Sequence, residues 1–186
     1  KYFAYIFTTL LLVMPYGIYL LEPYQKLRIL TFLNPERDPL GAGYQIIQSK
    51  IAIGSGGIFG KGYLNGSQSY LDYLPEKHTD FIFTLFSEEF GFIGSLILLL
   101  LFMLLIFSVI KVGKDAKNSF SKFFCFGFAS ILFIYITVNM SMVLGLLPTV
   151  GSPLPIMSYG GSSMLSVMFG LGIVMSCHTY RKKNIN

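Results

Sequence analysis

The sequence predicts an all-α, polytopic membrane protein. Hydrophobic residues make up 53% of the 186 residues and charged residues only 12%, and the mean hydropathy is +0.63. Soluble domains are usually about 25% charged. Apolar runs of about 20 residues, the length that crosses a bilayer as a helix, recur along the chain. We therefore expect a single membrane domain, residues 1–186, with four transmembrane helices at Tyr2–Leu21, Phe92–Ile110, Phe123–Leu147 and Ser162–Cys177.

The first apolar run begins directly after Lys1. It is too long for the hydrophobic region of a signal peptide and is not followed by a small-residue cleavage site. We interpret it as a spanning helix kinked at Pro15, which membranes tolerate when neighbouring groups satisfy the freed backbone. Because the chain starts with lysine rather than methionine, we expect it to be part of a longer protein.

The net charge of +5 is distributed in a way that predicts orientation rather than nucleic-acid binding. The short loop after the second predicted helix is rich in lysine, and the C-terminal tail contains Arg181, Lys182 and Lys183. The positive-inside rule places both in the cytoplasm. The long loop 22–80 balances six bases against six acids. This loop and a second segment, residues 147–163, are then extracytoplasmic.

The long loop contains one predicted helix. Pro23 and two later X-Pro pairs, Asn34-Pro35 and Asp38-Pro39, are turn signals that stop a helix from continuing. Tyr44–Ile53 then has apolar residues at helical spacing and polar residues on another side, which indicates a short interfacial helix.

A glycine-rich turn, residues 54–62 (GSGGIFGKG), follows that helix. A phosphate-binding Walker loop would require Ser or Thr directly after Lys61, and Gly62 stands there, so ATP binding is excluded. Two interpretations remain. The glycines allow a tight turn, or their backbone N–H groups and Lys61 form a nest for an anionic headgroup.

The segment Leu74–Gly91 holds four of the nine acids, at the point where a predicted helix enters the membrane. Carboxylates there are functional candidates because burying them is costly unless they are paired or hydrated. Asp80 could merely complement the helix dipole, a contribution of about 0.3–1 kcal/mol. The polar residues at 76–79 are more than a simple cap requires. On a regular helix, Asp80 heads a polar stripe that continues through Thr84, Ser87, Gly91 and Ser95.

On a regular helix, Glu88 and Glu89 would lie at a different depth or on a different face from Asp80. Glu88 lies deeper, at the edge of the stripe, and is predicted to be a buried polar contact, whereas Glu89 faces the opposite side. Glu76 is expected beside Asp80.

A proline-rich segment, residues 147–163, is apolar yet contains three prolines. Non-helical backbone at membrane depth persists only when it is buried in protein or lines a wet cavity. We therefore expect a broken or re-entrant segment that covers the cavity faced by Asp80.

Three stretches carry a family resemblance: DPLGAGYQIIQSKIAIGSGGIFGKGYL, LPEKHTDFIFTLFSEEFGFIG and LPTVGSPLPIMSYGGSS. They resemble the SEDS family (shape, elongation, division and sporulation) of bacterial membrane proteins. Within it, GKGYLNGSQSYLDYLPEKHTDF and NMSMVLGLLPTVGSPLP are more similar to the elongation branch, RodA, than to the division branch, FtsW. The family has about twice as many spanning helices as predicted here, so the chain resembles its C-terminal part.

The resemblance implies a peptidoglycan glycosyltransferase that polymerises lipid II at the outer face of the bacterial cytoplasmic membrane and maintains rod shape. A class B penicillin-binding protein, which supplies transpeptidation, and other elongation-complex membrane proteins are the implied partners. The family's proposed catalytic carboxylate, in its T-D-F motif, falls on Asp80. An acidic position before L-P-E matches Asp72, where relatives often have glutamate.

The chemistry of this reaction fits the residues. A pyrophosphate leaves without being protonated, so one general base, Asp80, could suffice, in contrast to the two carboxylates of a glycosidase. The departing phosphates require cations, backbone N–H donors or a divalent cation. His78 with Glu76 and Asp80 is a weak signature for such a cation, and no metal site is assigned. The predicted substrate-binding residues are Asp72, Glu76, Lys61, Lys77, Gln48 and Arg37.

Two other functions stay open. A lipid-precursor flippase or transporter would use the polar stripe and the broken segment for alternating access, although transporter sites lie near the bilayer midplane and Asp80 is at the outer edge. A non-catalytic membrane scaffold would leave the substrate contacts to helices outside the chain. We expect the isolated 186 residues to be inactive.

Overall fold

The computed structural model describes residues 22–34, 41–67 and 78–180, and these residues form helices without strands. The helices are α1 (Pro23–Leu33), α2 (Ala42–Gly56), α3 (Ile82–Asp115), α4 (Ser119–Val143) and α5 (Gly161–Thr179).

Three of these helices, α3, α4 and α5, are long and apolar enough to cross a membrane. The prediction of an all-helical membrane protein is therefore confirmed. The first predicted span, Tyr2–Leu21, lies outside the described residues, so the number of four spans stays a prediction.

The three long helices share one core. Ile106 of α3, Leu132 of α4 and Val174 of α5 are buried within it, while large apolar residues on the outer faces of the same helices are exposed. Helices surrounded by lipid gain little from burying more apolar surface, so small residues at their contacts matter. A Cβ on Gly170 would overlap the ring of Phe128, which shows how closely α5 approaches α4.

The helix α2 lies against the beginning of α3 and the end of α4. Ser49 is completely buried. Its hydroxyl donates to the carbonyl of Val143 at 2.7 Å and lies 2.8 Å from the hydroxyl of Thr84. The observed helix, Ala42–Gly56, is longer at both ends than the predicted Tyr44–Ile53 and extends into the glycine-rich turn.

The helix α1 is a correction to the sequence prediction. No helix was predicted here: Pro23 was expected only to stop a helix from continuing, and it is also the first residue of α1. Proline suits that position because its missing N–H would have no intrahelical partner there and its φ is already helical. The N–H of Glu22 donates to the side chain of Gln25 at 3.0 Å. The helix ends before Asn34-Pro35, as the restriction on the residue before proline predicts.

The helix α3 is also not regular, contrary to the assumption behind the polar stripe. Gly91 interrupts it with φ 67° and ψ −162°. The glycine-rich turn packs into this break, and a Cβ on Gly91 would overlap the backbone of Gly60. Four backbone hydrogen bonds join the two segments: Lys61 N to Glu88 O (3.0 Å), Gly62 N to Glu89 O (3.0 Å), Phe92 N to Gly57 O (2.9 Å) and Ile93 N to Ile58 O (3.1 Å).

Candidate active site

A cavity of about 590 Å³ lies beside Asp80. Its described walls come from α1, the beginning of α2, the turn before α3, the end of α4 and the proline-rich segment. The Asp80 cavity is lined by Arg28, Gly41, Gln45, Thr79, Asp80, Phe81, Met142, Thr149 and Gly151.

Asp80 is half-buried in the turn that precedes α3. Three consecutive carbonyls of this turn each accept a hydrogen bond from outside it, and we call this arrangement the three-carbonyl clamp. The donors are the backbone N–H of Tyr159 to His78 O (2.8 Å), the hydroxyl of Ser158 to Thr79 O (2.6 Å) and the amide of Asn139 to Asp80 O (2.8 Å).

Two buried side chains make the clamp rigid. The Asn139 amide also donates to the carbonyl of Ser152 at 2.6 Å, which ties α4 to the proline-rich segment. The Ser158 hydroxyl also accepts from the N–H of Leu154 at 2.7 Å. Since buried hydrogen bonds of this kind fix backbone position, the direction of the Asp80 side chain depends on the proline-rich segment.

Backbone of the proline-rich segment lies directly against the Asp80 carboxylate. Gly151 has φ +77°, and a Cβ built there would lie 3.3 Å from Asp80 Oδ2. Any other residue would meet both the unfavourable backbone conformation and the carboxylate. Glycine at this position therefore keeps one side of the carboxylate accessible to the cavity.

Arg28 lies on the same wall, and nothing in the sequence singled it out. Its Nη1 donates to the carbonyl of Thr149 at 2.9 Å and to that of Val150 at 3.4 Å. The helix α1 was not predicted, so the face on which Arg28 lies could not be assigned. A partner 121 residues away along the chain leaves no signal in a single sequence.

Glu88 of α3 and Lys61 of the glycine-rich turn form an ion pair. Lys61 Nζ lies 2.7 Å from Glu88 Oε1, with Glu88 completely buried and Lys61 28% exposed. The Ser67 hydroxyl bonds both groups, at 2.8 Å and 3.1 Å. Glu88 is thus the buried polar contact that the sequence predicted. Lys61, predicted to bind substrate, is held by this pair and is not among the described residues that line the cavity.

The glycine-rich turn uses its backbone donors within the fold. The N–H groups of Gly60, Lys61 and Gly62 bond carbonyls of Gly56 and α3. The structure therefore supports the tight-turn interpretation, because these three N–H groups bond carbonyls of the protein and are not directed at an anion. Glu89 accepts from the N–H of Leu64 at 3.3 Å.

The remaining predicted site residues are placed as follows. Gln48 is half-buried on α2, whereas its neighbour Gln45 lines the Asp80 cavity. Within the described part of the chain, no three His, Cys, Asp or Glu residues are close enough to hold a metal ion. Because Glu76 is outside that part, the divalent-cation prediction stays a prediction. Arg37, Asp72, Glu76 and Lys77 lie outside the described residues.

Comparison with known proteins identifies the family. The FTSW_RODA_SPOVE family, described as "Cell cycle protein", matches residues 1–183. The chain belongs to this family. The resemblance of its motifs to the SEDS proteins is therefore confirmed.

Individual relatives agree with this assignment. The peptidoglycan glycosyltransferase MrdB of Escherichia coli K12 is 55% identical over 164 residues, which cover 88% of this chain and 44% of MrdB. The peptidoglycan glycosyltransferase RodA of Treponema pallidum is 44% identical over 160 residues, 86% of this chain and 37% of RodA. The chain thus spans less than half the length of these relatives.

A solved structure matches the fold along nearly the whole chain. It was determined in work on the coordination of polymerization and crosslinking by a peptidoglycan synthase complex. The TM-score is 0.70 at 38% identity, and the match covers 98% of this chain and 48% of that one.

Proposed function

We propose that this chain is the C-terminal part of a glycosyltransferase that polymerises lipid II into glycan strands at the outer face of the cytoplasmic membrane. The observation that carries the proposal is Asp80, which lines a cavity and lies in a turn held by the three-carbonyl clamp. Family membership supports it, as do relatives named peptidoglycan glycosyltransferases. Similarity to the elongation branch favours a role in rod shape.

The proposed step is a displacement at an anomeric carbon. The carboxylate of Asp80 takes the proton of an acceptor sugar hydroxyl while the hydroxyl oxygen forms a bond to the anomeric carbon of a second sugar. The bond between that carbon and the pyrophosphate oxygen breaks, and the lipid pyrophosphate leaves with the electron pair. No acid is required for the leaving group, so a single carboxylate is sufficient.

Substrate contacts are proposed on several elements. Asp72 and Glu76 would extend the acidic side of the site, and Lys77 and Arg37 would contribute charge from the loop. Gln48 and Lys61 lie on described elements, and a direct role of Lys61 would require it to leave its 2.7 Å contact with Glu88. A divalent cation remains an alternative source of positive charge for the phosphates.

A class B penicillin-binding protein is the proposed partner, together with other membrane proteins of cell elongation. The matching structure of a peptidoglycan synthase complex that coordinates polymerization with crosslinking supports this partnership. The lysine-rich connection between α3 and α4 and the C-terminal tail are proposed to be cytoplasmic. The Asp80 cavity then faces the cell-wall side.

The interruption of α3 at Gly91 favours a second candidate, a carrier of lipid-linked precursors. Broken helices form the binding sites of many transporters. In this chain, however, the break is filled by backbone hydrogen bonds from the glycine-rich turn. Because these hydrogen bonds already use the backbone groups at the break, they favour a rigid structural contact over an ion-binding site.

One experiment separates the two candidates. The purified full-length protein is reconstituted in vesicles with fluorescent lipid II, and glycan length and transbilayer movement are measured on the same sample. Glycan strands without movement support the glycosyltransferase. Movement of lipid II without polymer would replace it with the carrier.

A further inference from the structure

We propose that Arg28 binds a phosphate-ester anion in the Asp80 cavity, namely the pyrophosphate of the lipid-linked substrate. The identity of this ligand rests on the proposed function. The binding of the anion itself rests on the geometry of α1 and the proline-rich segment.

Charge in the described part of the cavity points to Arg28. Among the described lining residues it is the one cation, in a cavity that the carboxylate-bearing Asp80 also lines. The ammonium of Lys61 is occupied by the buried carboxylate of Glu88. The N–H groups of Gly60, Lys61 and Gly62 in the glycine-rich turn are bonded to carbonyls of α2 and α3, so these donors do not form an anion nest.

The guanidinium of Arg28 is held by one end. Both hydrogen bonds to the proline-rich segment come from Nη1, at 2.9 Å and 3.4 Å. The side chain is exposed. An arginine has five N–H donors in a rigid planar fork, so Nη2 and Nε keep donors for a second acceptor. Such a fork matches two phosphate oxygens at once and is preorganised by the existing bonds.

The spacing between this cation and the acid suits one substrate. Arg28 bonds the carbonyl of Thr149, and Gly151 borders the Asp80 carboxylate. Two residues of extended chain separate these points, a span of at most about 7 Å. In a displacement, the attacking hydroxyl and the leaving group lie on opposite sides of the anomeric carbon. A base and an anion site several ångströms apart can therefore act on the two ends of one reaction.

The phosphodiester of an anionic phospholipid has the same chemistry and must be separated by experiment. The full-length protein is placed in phosphatidylcholine nanodiscs, and binding of farnesyl pyrophosphate is titrated in the wild type and in Arg28→Gln. Glutamine keeps a donor for the Thr149 carbonyl but removes the charge. We expect affinity at least about 10-fold weaker in the variant, because hydrogen bonds to charged groups are among the stronger ones.

The matched control is Lys117→Gln. It removes the same charge from an exposed position beyond the far end of α3, about 50 Å from Asp80 along a 34-residue helix. It should leave the affinity unchanged. Unchanged affinity in Arg28→Gln would overturn the proposal and leave Arg28 as a tether of the proline-rich segment.

A second variant covers the case in which Arg28→Gln does not fold. Arg28→Lys keeps the charge but loses the fork, so the preference for farnesyl pyrophosphate over farnesyl monophosphate should fall. An unchanged preference contradicts the proposal. Complete loss of probe binding when the protein is placed in nanodiscs that contain phosphatidylglycerol also contradicts it, because the anionic phospholipid would then be the ligand. Binding is measured without turnover. If the protein binds farnesyl pyrophosphate through Arg28 but makes no glycan, the glycosyltransferase proposal is wrong and the anion-site proposal still stands.

Discussion

The ion pair between Lys61 and Glu88 gives the most quantitative prediction. Glu88 is completely buried, and its Oε1 lies 2.7 Å from the ammonium. Lys61→Met would remove the cation and leave a buried carboxylate without it. Breaking one partner of a buried pair typically costs about 3–5 kcal/mol. At about 1–2 °C per kcal/mol for a protein of the relatives' length, the unfolding midpoint of the full-length protein in detergent should fall by roughly 5 °C.

The double variant Lys61→Met/Glu88→Gln tests the physical reason. Removing both charges should recover most of the lost stability, because the desolvated charge is then gone. Two results would refute this explanation: Lys61→Met as stable as the wild type, or a double variant whose loss of stability equals the sum of the losses in Lys61→Met and Glu88→Gln. The double variant also separates two roles of Lys61. Stability recovered without polymerising activity would indicate the direct substrate contact that the sequence predicted.

Three further substitutions test the site and its supports. Ser158→Ala removes the hydroxyl that donates to the Thr79 carbonyl and should lower kcat more than it changes KM, with Ser158→Thr restoring part of the rate. Gly151→Ala should reduce polymerisation several-fold, since its Cβ would lie 3.3 Å from the Asp80 carboxylate. Gly91→Ala should lower the unfolding midpoint, because a non-glycine residue at φ 67° costs about 1–3 kcal/mol. Wild-type kinetics in the first two, or wild-type stability in the third, would contradict these assignments.

The sequence was most informative where one physical signal dominated. Long apolar runs predicted α3, α4 and α5 because the bilayer demands about 20 consecutive apolar residues. Asp80 stood out because an acid at a membrane-entering helix is costly and therefore rarely incidental. The prolines of residues 147–163 predicted non-helical backbone near Asp80, and Thr149 and Gly151 line its cavity.

Signals with two meanings were less informative. A proline can end one helix or begin another, and local sequence alone did not decide between these roles for Pro23, which begins α1. Gly91 lies in an apolar run that reads as continuous helix, and its positive φ depends on the approach of the glycine-rich turn, about 30 residues earlier in the chain.

Contacts between distant residues could not be predicted from one sequence. The Arg28 guanidinium bonds a carbonyl 121 residues away, and Asn139 bonds the Asp80 backbone 59 residues away. Backbone carbonyls are identical at every residue, so the chain carries no pattern that marks which one is the acceptor. These contacts determine how Asp80 is held, and only the three-dimensional fold reveals them.

The most direct test of the central claim is polymerisation of purified lipid II by the full-length protein with Asp80→Asn. Asparagine keeps the shape of the side chain but is not a base, so the rate should fall by about 10²–10⁴-fold while folding and lipid binding persist. The control Asp115→Asn, at the exposed far end of α3, should polymerise normally. Glycan strands of normal length and rate from Asp80→Asn would contradict the assignment of Asp80 as the base.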